Sequence, residues 1–182
     1  MRKVTAQFMI LLLLVLSFGC SNTQATDVTL NNTPTQVYFS PKGGCTNAIV
    51  GEISKAKTEI LVQAYSFTSK EIAKALVDAH KRGVHVETIL DKSNKSQKYS
   101  AADFTYNMGI PTFIDAEHAI AHNKIMVIDN ETVITGSFNF TKAAEEKNAE
   151  NLLILKNKEL AKHYIDNWNR HKSHSQKYKG RQ

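Results

Sequence analysis

The sequence is poor in the residues that mark fibrous, disordered or disulfide-rich chains. Its 182 residues include 8 glycines, 3 prolines and 2 cysteines, and no Gly-rich linker divides them. With 42% hydrophobic and 22% charged residues, the composition is that of a globular protein with a buried core. We therefore expect one folded domain with at most a short tail.

The N-terminal apolar run is too short for a membrane-spanning helix. Arg2 and Lys3 precede the apolar residues 8–18, and this run fits the hydrophobic region of a secretory signal better than a ~30 Å hydrocarbon layer. We predict a signal peptide at residues 1–25 and one folded domain at residues 26–182. The protein is then exported, to the periplasm or to the medium.

The two cysteines bear on processing more than on catalysis. The alternative to cleavage after residue 25 is a lipoprotein signal at residues 1–19, with Cys20 as the lipid anchor in the bacterial envelope. Only then would a membrane be a partner. Ser17 disfavours this alternative, because a lipobox usually has leucine there. Cleavage after residue 25 leaves Cys45 alone, which we interpret as a small residue at the start of a helix, with an intermolecular bridge left open.

The charge balance is basic. The chain has 23 Lys and Arg against 17 Asp and Glu, with a pI near 9.2, and removal of the signal peptide still leaves 21 basic residues against 17 acidic ones. Such a balance favours polyanionic partners, either nucleic acid or an anionic membrane surface.

Strands alternate with helices along the mature chain. This alternation favours an α/β fold, a mixed, largely parallel β-sheet with helices on both faces and an antiparallel hairpin inserted late. One helix begins after Thr68 or Ser69 and ends before Gly83. The other predicted elements are strands at 36–40, 60–66, 84–90, 111–114, 123–128, 132–135 and 151–155, and helices at 48–56, 101–107 and 158–171.

Two basic segments fall outside these elements. Residues 92–99 contain three lysines and no apolar period, so we expect an exposed, mobile loop. Residues 172–181 form a basic tail after the last helix. Both could contact phosphates, although runs of charge often only keep a surface hydrated.

Charge-handling side chains concentrate in one late segment. His122 and Lys124 lie two residues apart on a predicted strand and therefore share a face. Ser137 and Asn139 share parity after the returning strand of the hairpin, and Gly136 permits a close backbone approach. An imidazole, an ammonium, a hydroxyl and a carboxamide then converge on one small volume, which suits a tetrahedral anion such as a phosphate diester.

An acidic residue between these groups has a different expected role. Asp129 lies seven positions from His122, and an odd separation on a strand places the two side chains on opposite faces. We therefore predict that Asp129 is a structural residue of the motif and takes no part in catalysis.

These residues resemble the HxK(x)4D(x)6GSxN signature of the phospholipase D superfamily. The surrounding chain is similar to the small bacterial endonucleases of that superfamily, which carry one copy of the motif per chain. The resemblance covers nearly all of the mature protein. The matching positions are His122, Lys124, Asp129, Gly136, Ser137 and Asn139.

The resemblance implies a phosphodiesterase that needs neither a metal nor another cofactor. His122 would be the nucleophile that forms a covalent phosphohistidine, and a second histidine would protonate the leaving alcohol. Lys124 and Asn139 would stabilise the phosphoryl oxygens. Glu150 would orient His122 by accepting its other ring proton, while Ser137 belongs to the site without a firm role.

The second histidine must come from elsewhere. None of the other six histidines has a lysine two residues on. His118 is near His122 in sequence, but nothing in the sequence fixes its direction. The resemblance therefore implies a homodimer in which the two copies of His122 meet at one site, which a two-fold interface permits.

Three functions follow, in order of preference. The first is an endonuclease for DNA, with RNA also open, that reads no sequence, since no base-reading motif is present. The second is hydrolysis of phospholipid head groups, which the absence of an amphipathic helix rich in Trp and Phe disfavours. The third, of another class, is an inactive polyanion-binding module, which the intact motif disfavours.

Overall fold

The computed structural model describes residues 25–97 and 100–181. The predicted signal peptide and the lipobox at Cys20 lie outside these ranges, apart from residue 25. Within the two ranges, every helix is too short or too polar to span a bilayer.

Helices and strands alternate over most of the described chain. A turn of 3-10 helix at Lys92–Lys95 follows the third strand. The helices are α1 (Cys45–Lys55), α2 (Lys70–Lys81), α3 (Ala102–Asn107), α4 (Lys142–Glu146) and α5 (Lys158–His174). The strands are β1 (Thr35–Ser40), β2 (Glu59–Ala64), β3 (His85–Asp91), β4 (Thr112–Asp115), β5 (Lys124–Ile128), β6 (Thr132–Gly136), β7 (Glu150–Lys156) and β8 (Gln176–Lys177).

All eight strands form one mixed sheet in the order β1-β7-β6-β5-β2-β3-β4-β8. The predicted mixed α/β sheet is confirmed, but the prediction that it is largely parallel is wrong. Only β2 with β3 and β3 with β4 pair in parallel, and the other five pairings are antiparallel. The reason is that a parallel neighbour needs a crossover connection, which the segments with α2 and α3 supply, whereas a tight hairpin joins β5 to β6 and the return at residues 137–149, with α4, brings β7 back antiparallel to β6.

The sheet buries apolar side chains on both faces. Alternation along β2 sends Ile60 and Val62 to the larger cluster, which α1 and α2 cover, and sends Leu61 to the smaller one. Ala161 and Trp168 of α5 close the smaller cluster, and the Trp168 indole N–H donates to the carbonyl of Val62 at 3.0 Å. Helices therefore lie on both faces, as predicted.

Local signals set the helix ends. The Ser69 hydroxyl caps α2 by accepting from the Ile72 amide, which decides between the two predicted capping residues. Gly83 follows α2 with φ of 94°, the left-handed conformation expected there. Cys45 begins α1 and is fully buried, and burial, with the charge of Glu145, raises the pKa of its thiol to about 11. Its interpretation as a small packing residue is confirmed.

The two basic segments are more ordered than predicted. In place of a loop, Lys92–Lys95 forms a helical turn in which the buried Asn94 donates to the carbonyl of Tyr65 at 2.6 Å. In place of a tail, residues 172–174 continue α5 and β8 follows. Tyr178 is buried, and its hydroxyl donates to Asp103 at 2.5 Å. Buried and hydrogen-bonded residues inside each basic segment therefore hold it in place, although its run of charge predicted a mobile loop or a tail.

Candidate active site

The chemistry-bearing residues lie at one end of the sheet, where β2 and β6 finish and β5 and β7 begin. We call this the polar end. Lys124 pairs with Ala64, the last residue of β2. Glu150 begins β7 and pairs with Ser40, the last residue of β1. Antiparallel neighbours thus bring residues distant in sequence to the same end of the sheet.

Hydrogen bonds on both sides fix the backbone around His122. The buried carboxylate of Asp91 accepts from the Ala121 amide at 2.8 Å. On the other side, the Tyr65 amide donates to the carbonyl of Asn123 at 2.8 Å. His122 itself is exposed, so its imidazole stands in solvent on a fixed stretch of backbone.

An aromatic ring joins His122 to Lys124. The Tyr65 and His122 rings are 4.6 Å apart between centroids, and the Lys124 ammonium lies 5.0 Å from the centre of the Tyr65 ring. Sequence analysis missed Tyr65. The signal that could have found it is its position directly after β2, because β2 is the strand that pairs with β5.

The Lys124 ammonium is held at the site with few competing partners. The side chain is buried, and its Nζ donates to the carbonyl of His122 at 2.8 Å. Burial lowers the pKa of Lys124, and the negative charge of Glu150 opposes that shift. A partly desolvated cation interacts more strongly with an anion than an exposed one, because water screens it less.

Ser137 orients its neighbours rather than pointing freely into the site. Its hydroxyl donates to Glu150 at 2.6 Å and accepts from the amide and the side chain of Asn151 at 3.1 and 3.3 Å. Gly136 makes this turn feasible, since a Cβ there would lie 2.3 Å from the Asn151 carbonyl oxygen.

Asn139 is anchored by its sequence neighbours while its amide remains available. Phe138 and Phe140 are buried on either side, and Phe140 packs edge-on against Phe67 at 6.0 Å. Within the described residues, the buried Oδ1 of Asn139 has no hydrogen-bond partner. A buried polar atom without a partner is uncommon. Because Oδ1 can only accept a hydrogen bond, the group of Asn139 that can donate to a phosphate oxygen is its side-chain NH2.

Glu150 makes different contacts from those the resemblance implies. Its carboxylate accepts from Ser137 and, at 3.2 Å, from the side chain of Asn148. Over the two described ranges, no hydrogen bond joins Glu150 to His122, or His118 to His122. His118 instead points its Nδ1 at Asp115, at 3.3 Å.

Asp129 lies at the opposite end of the sheet. It is five residues beyond Lys124 along β5, which corresponds to ~16 Å of strand. With φ of 52°, it turns its carboxylate toward the start of β2, where the three successive amides of Lys57, Thr58 and Glu59 donate to it at 2.8 to 3.2 Å. These hydrogen bonds outweigh burial and lower the pKa of Asp129.

A basic groove borders the polar end. It has a volume of about 990 Å³, and the Lys92 ammonium at its rim donates to the carbonyl of His118, four residues before His122. Its charged lining residues are Lys92, Lys95, Lys177, Lys179 and Arg181.

The arrangement is suited to chemistry on a phosphate diester. Within the described residues it offers one exposed imidazole that can attack phosphorus, and the partly desolvated Lys124 ammonium and the side-chain NH2 of Asn139 as donors to the non-bridging oxygens. The neighbouring groove can bind further negative charge. Each chain has one such imidazole, whereas attack and leaving-group protonation together call for two.

Comparisons with known proteins agree with this geometry. Residues 49–172 match the family described as cardiolipin synthase, PLD-like domain. The phospholipase D of Rickettsia conorii is 44% identical over 139 residues, which cover 76% of this chain and 70% of that protein. The crystal structure of Nuc from Salmonella typhimurium, a phospholipase D family member, is 40% identical, covers 81% of this chain and 99% of its own, and superposes with a TM-score of 0.78. NucT from Helicobacter pylori, at 24% identity, covers 80% of this chain and 99% of its own with a TM-score of 0.72, which supports the fold.

Proposed function

Because the chain belongs to the PLD-like domain family and is a phosphodiesterase of the phospholipase D superfamily, we propose that it is an endonuclease. Its substrate is DNA, with RNA also open, and it is cut without sequence preference at a site shared by two subunits. The observation that carries this proposal is the pairing of an exposed His122 with a buried Lys124 beside a basic groove.

The reaction proceeds in two displacements. His122 of one subunit attacks phosphorus through a ring nitrogen, and the bond from phosphorus to the leaving oxygen breaks. His122 of the partner subunit gives its proton to that oxygen. It then takes a proton from water, whose oxygen attacks the phosphohistidine and releases the phosphomonoester and free His122.

The other site residues act on charge and orientation. Lys124 and Asn139 stabilise the phosphoryl oxygens, where charge grows in the transition state. Ser137 fixes the Glu150 carboxylate through its 2.6 Å hydrogen bond, and the orienting contact between Glu150 and His122 would form in the complex with substrate. No metal is assigned to these steps, because the ammonium groups carry the positive charge.

The basic groove supports a nucleic acid substrate. Among the described residues, five cationic side chains and no acidic one line it, although Arg181 also pairs with Asp103 at 3.4 Å. Such a surface binds a phosphate backbone by releasing counterions. Phosphate contacts of this kind fix a strand in place and carry no sequence information. The groove reaches the segment before His122 through Lys92, so a bound strand can continue to the polar end.

A second candidate function is phospholipid hydrolysis. The observation that favours it is the 44% identity to a protein named phospholipase D. The chemistry at phosphorus is the same, and the leaving alcohol would be the lipid head group in place of a nucleoside.

Plasmid cleavage separates these functions. We would incubate supercoiled plasmid with purified protein, with and without excess chelator, and incubate phospholipid vesicles in parallel. We expect nicking and linearisation that His122→Ala abolishes, while the matched control His163→Ala on α5 keeps the activity. Lys124→Ala should lose at least ~10²-fold, as one oxyanion donor does elsewhere. Retardation of plasmid without cleavage would indicate the inactive binding module, and release of head groups alone would indicate phospholipid hydrolysis.

The shared site can be tested through the apolar side chains around the polar end. Phe39 is 66% exposed beside the strand residue that pairs with Glu150, and Ile120 is 55% exposed two residues before His122. A dimer interface at the polar end would bury both. We expect Phe39→Glu to yield monomers without activity in sedimentation and cleavage assays. Leu30→Glu, at an apolar residue that is 47% exposed five residues before β1, should remain an active dimer, and an active Phe39→Glu monomer would contradict the shared site.

We also propose that the protein works outside the cytoplasm. The support is the signal-like sequence at residues 1–25. Fractionation of cells expressing a C-terminally tagged chain should place the mature protein in the periplasm or the medium. Membrane recovery that Cys20→Ala abolishes would instead support the lipoprotein alternative.

A further inference from the structure

Three histidines surround one buried carboxylate close to the polar end. We call this group the histidine cluster, and it comprises Asp115, His118, His171 and His174. Asp115 has no exposed side-chain surface, and its oxygens lie 2.7 Å from His171 Nδ1 and 3.3 Å from His118 Nδ1 and from His174 Nε2. One ligand-type atom from each of the four residues lies within 4.8 Å of every other.

Different elements deliver the four residues to one point. Asp115 ends β4, and His118 follows it on the segment that leads to β5. His171 and His174 are three residues apart on α5, a spacing that places them on the same side of a helix. The three imidazole rings face one another, with centroids 4.8 to 5.3 Å apart. The cluster therefore joins two parts of the chain that are more than 50 residues apart in sequence.

The geometry and the donor set fit a tetrahedral metal ion. Ligand atoms ~2.0 Å from Zn²⁺ at tetrahedral angles are ~3.3 Å apart. The Asp115 oxygens already lie at this separation from two histidines, Oδ1 from His118 and Oδ2 from His174, and metal binding would lengthen the 2.7 Å contact of Oδ2 with His171. Imidazole nitrogen and carboxylate oxygen are both ordinary Zn²⁺ ligands. His118 is 44% exposed, so the ion can enter from its side.

We propose that the histidine cluster is a Zn²⁺ site in which Asp115, His118, His171 and His174 are the four ligands. A closed set of four protein ligands is typical of a structural site. The ion would fasten the segment after β4 to α5. Because this segment ends at His122, and because Ala116 and Gln176 beside the ligands line the basic groove, the bound ion would hold both the nucleophile's segment and the groove in place.

The competing explanation is a metal-free network in which three imidazoles simply satisfy a buried carboxylate. Both explanations account for the contacts, so binding of the ion must be measured directly. We would strip the purified protein with chelator, remove the chelator, and titrate Zn²⁺ by calorimetry. We expect one ion per chain and a melting temperature that rises with Zn²⁺ concentration, since the ion binds only the folded state.

Substitutions assign the ion to the cluster. His118→Ala removes the most exposed ligand and should weaken Zn²⁺ binding at least tenfold, whereas His163→Ala, two turns earlier on α5, should bind as the unaltered protein does. Circular dichroism checks that His118→Ala is folded. Absence of saturable binding, or equal binding by the two variants, would overturn the proposal.

A spectroscopic measurement on the unaltered protein does not depend on any variant folding. Co²⁺ in a tetrahedral site absorbs strongly in the visible, while octahedral Co²⁺ is pale. We expect the strong bands at one equivalent of Co²⁺, and their bleaching by Zn²⁺. A pale spectrum at saturation would exclude the four-ligand site. None of these measurements uses phosphodiester cleavage, so their outcome is independent of the proposed function.

Discussion

Replacement of Asp129 should separate a structural role from a catalytic one within the motif. The Asp129 carboxylate accepts from three successive backbone amides and from the Thr58 hydroxyl at 2.9 Å. It lies ~16 Å along β5 from Lys124 and cannot touch the same phosphate. We therefore expect Asp129→Ala to destabilise the fold while the turnover of the folded fraction stays near normal.

The magnitude follows from the hydrogen bonds lost. A hydrogen bond to a charged group contributes about 1.5–3 kcal/mol, but the amides of Lys57 and Thr58 are exposed and can bind water instead. The Glu59 amide is part-buried, so the loss of its hydrogen bond costs most of that free energy. Alanine at φ of 52° adds about 1 kcal/mol, which gives roughly 3 kcal/mol in total and a fall in melting temperature of about 6–12 °C.

Urea unfolding and plasmid cleavage at 25 °C measure the two effects separately. Asp129→Asn is the matched control, because asparagine tolerates the left-handed backbone. It removes the charge and replaces one acceptor oxygen with an NH2 group, so Oδ1 can keep the hydrogen bonds from Thr58 and Glu59 while that from Lys57 to Oδ2 is lost, and we expect a loss of about 1–2 kcal/mol. A stable Asp129→Ala protein without activity would refute the structural assignment.

The same carboxylate predicts a dependence of stability on pH. Backbone hydrogen bonds hold the pKa of Asp129 below its ordinary value. The stability it contributes is therefore present above the unfolded pKa of ~3.9 and is lost as pH falls through the lower folded pKa. The difference in unfolding free energy between the unaltered protein and Asp129→Asn should shrink below about pH 3.9.

Three further substitutions test the polar end. Gly136→Ala should lower both stability and activity, because its Cβ would lie 2.3 Å from a backbone oxygen of β7, and thermal melts with cleavage assays measure the two losses. Tyr65→Ala should reduce kcat by about tenfold, since the His122 ring loses its packing partner, and Tyr65→Phe should restore most of it. Ser137→Ala should lower kcat more than it raises KM, because it frees the Glu150 carboxylate without removing a substrate contact, and equal losses in both constants would contradict the orienting role.

The local pattern of the sequence predicts most elements of the fold. Strand and helix positions follow from apolar spacing. Ser69 caps the start of α2, and Gly83 follows its end in the left-handed conformation. The order of strands does not follow, because pairing between β1 and β7 joins residues more than 100 positions apart. The short α4 and β8 also escaped prediction, since a single turn or a two-residue strand depends on tertiary contacts more than on propensity.

The sequence likewise predicts some residues of the candidate site and misses others. Period-2 parity and the spaced motif identify His122, Lys124, Ser137 and Asn139, because these residues belong to one hairpin and its continuation. Tyr65 was missed, since it reaches the site through pairing between β2 and β5. The histidine cluster was missed for a similar reason: its members come from two distant segments, and each histidine taken alone is typical of a surface residue.

The buried Cys45 thiol can report how often the folded core opens. A chain that begins after residue 25 has this single thiol, which is inaccessible in the folded state and lies at the start of α1 in the larger core cluster. A thiol reagent can react with it only when that cluster separates, so the labelling rate in native buffer measures how often the core opens. The same measurement repeated with Zn²⁺ or substrate present would show which of them slows that opening.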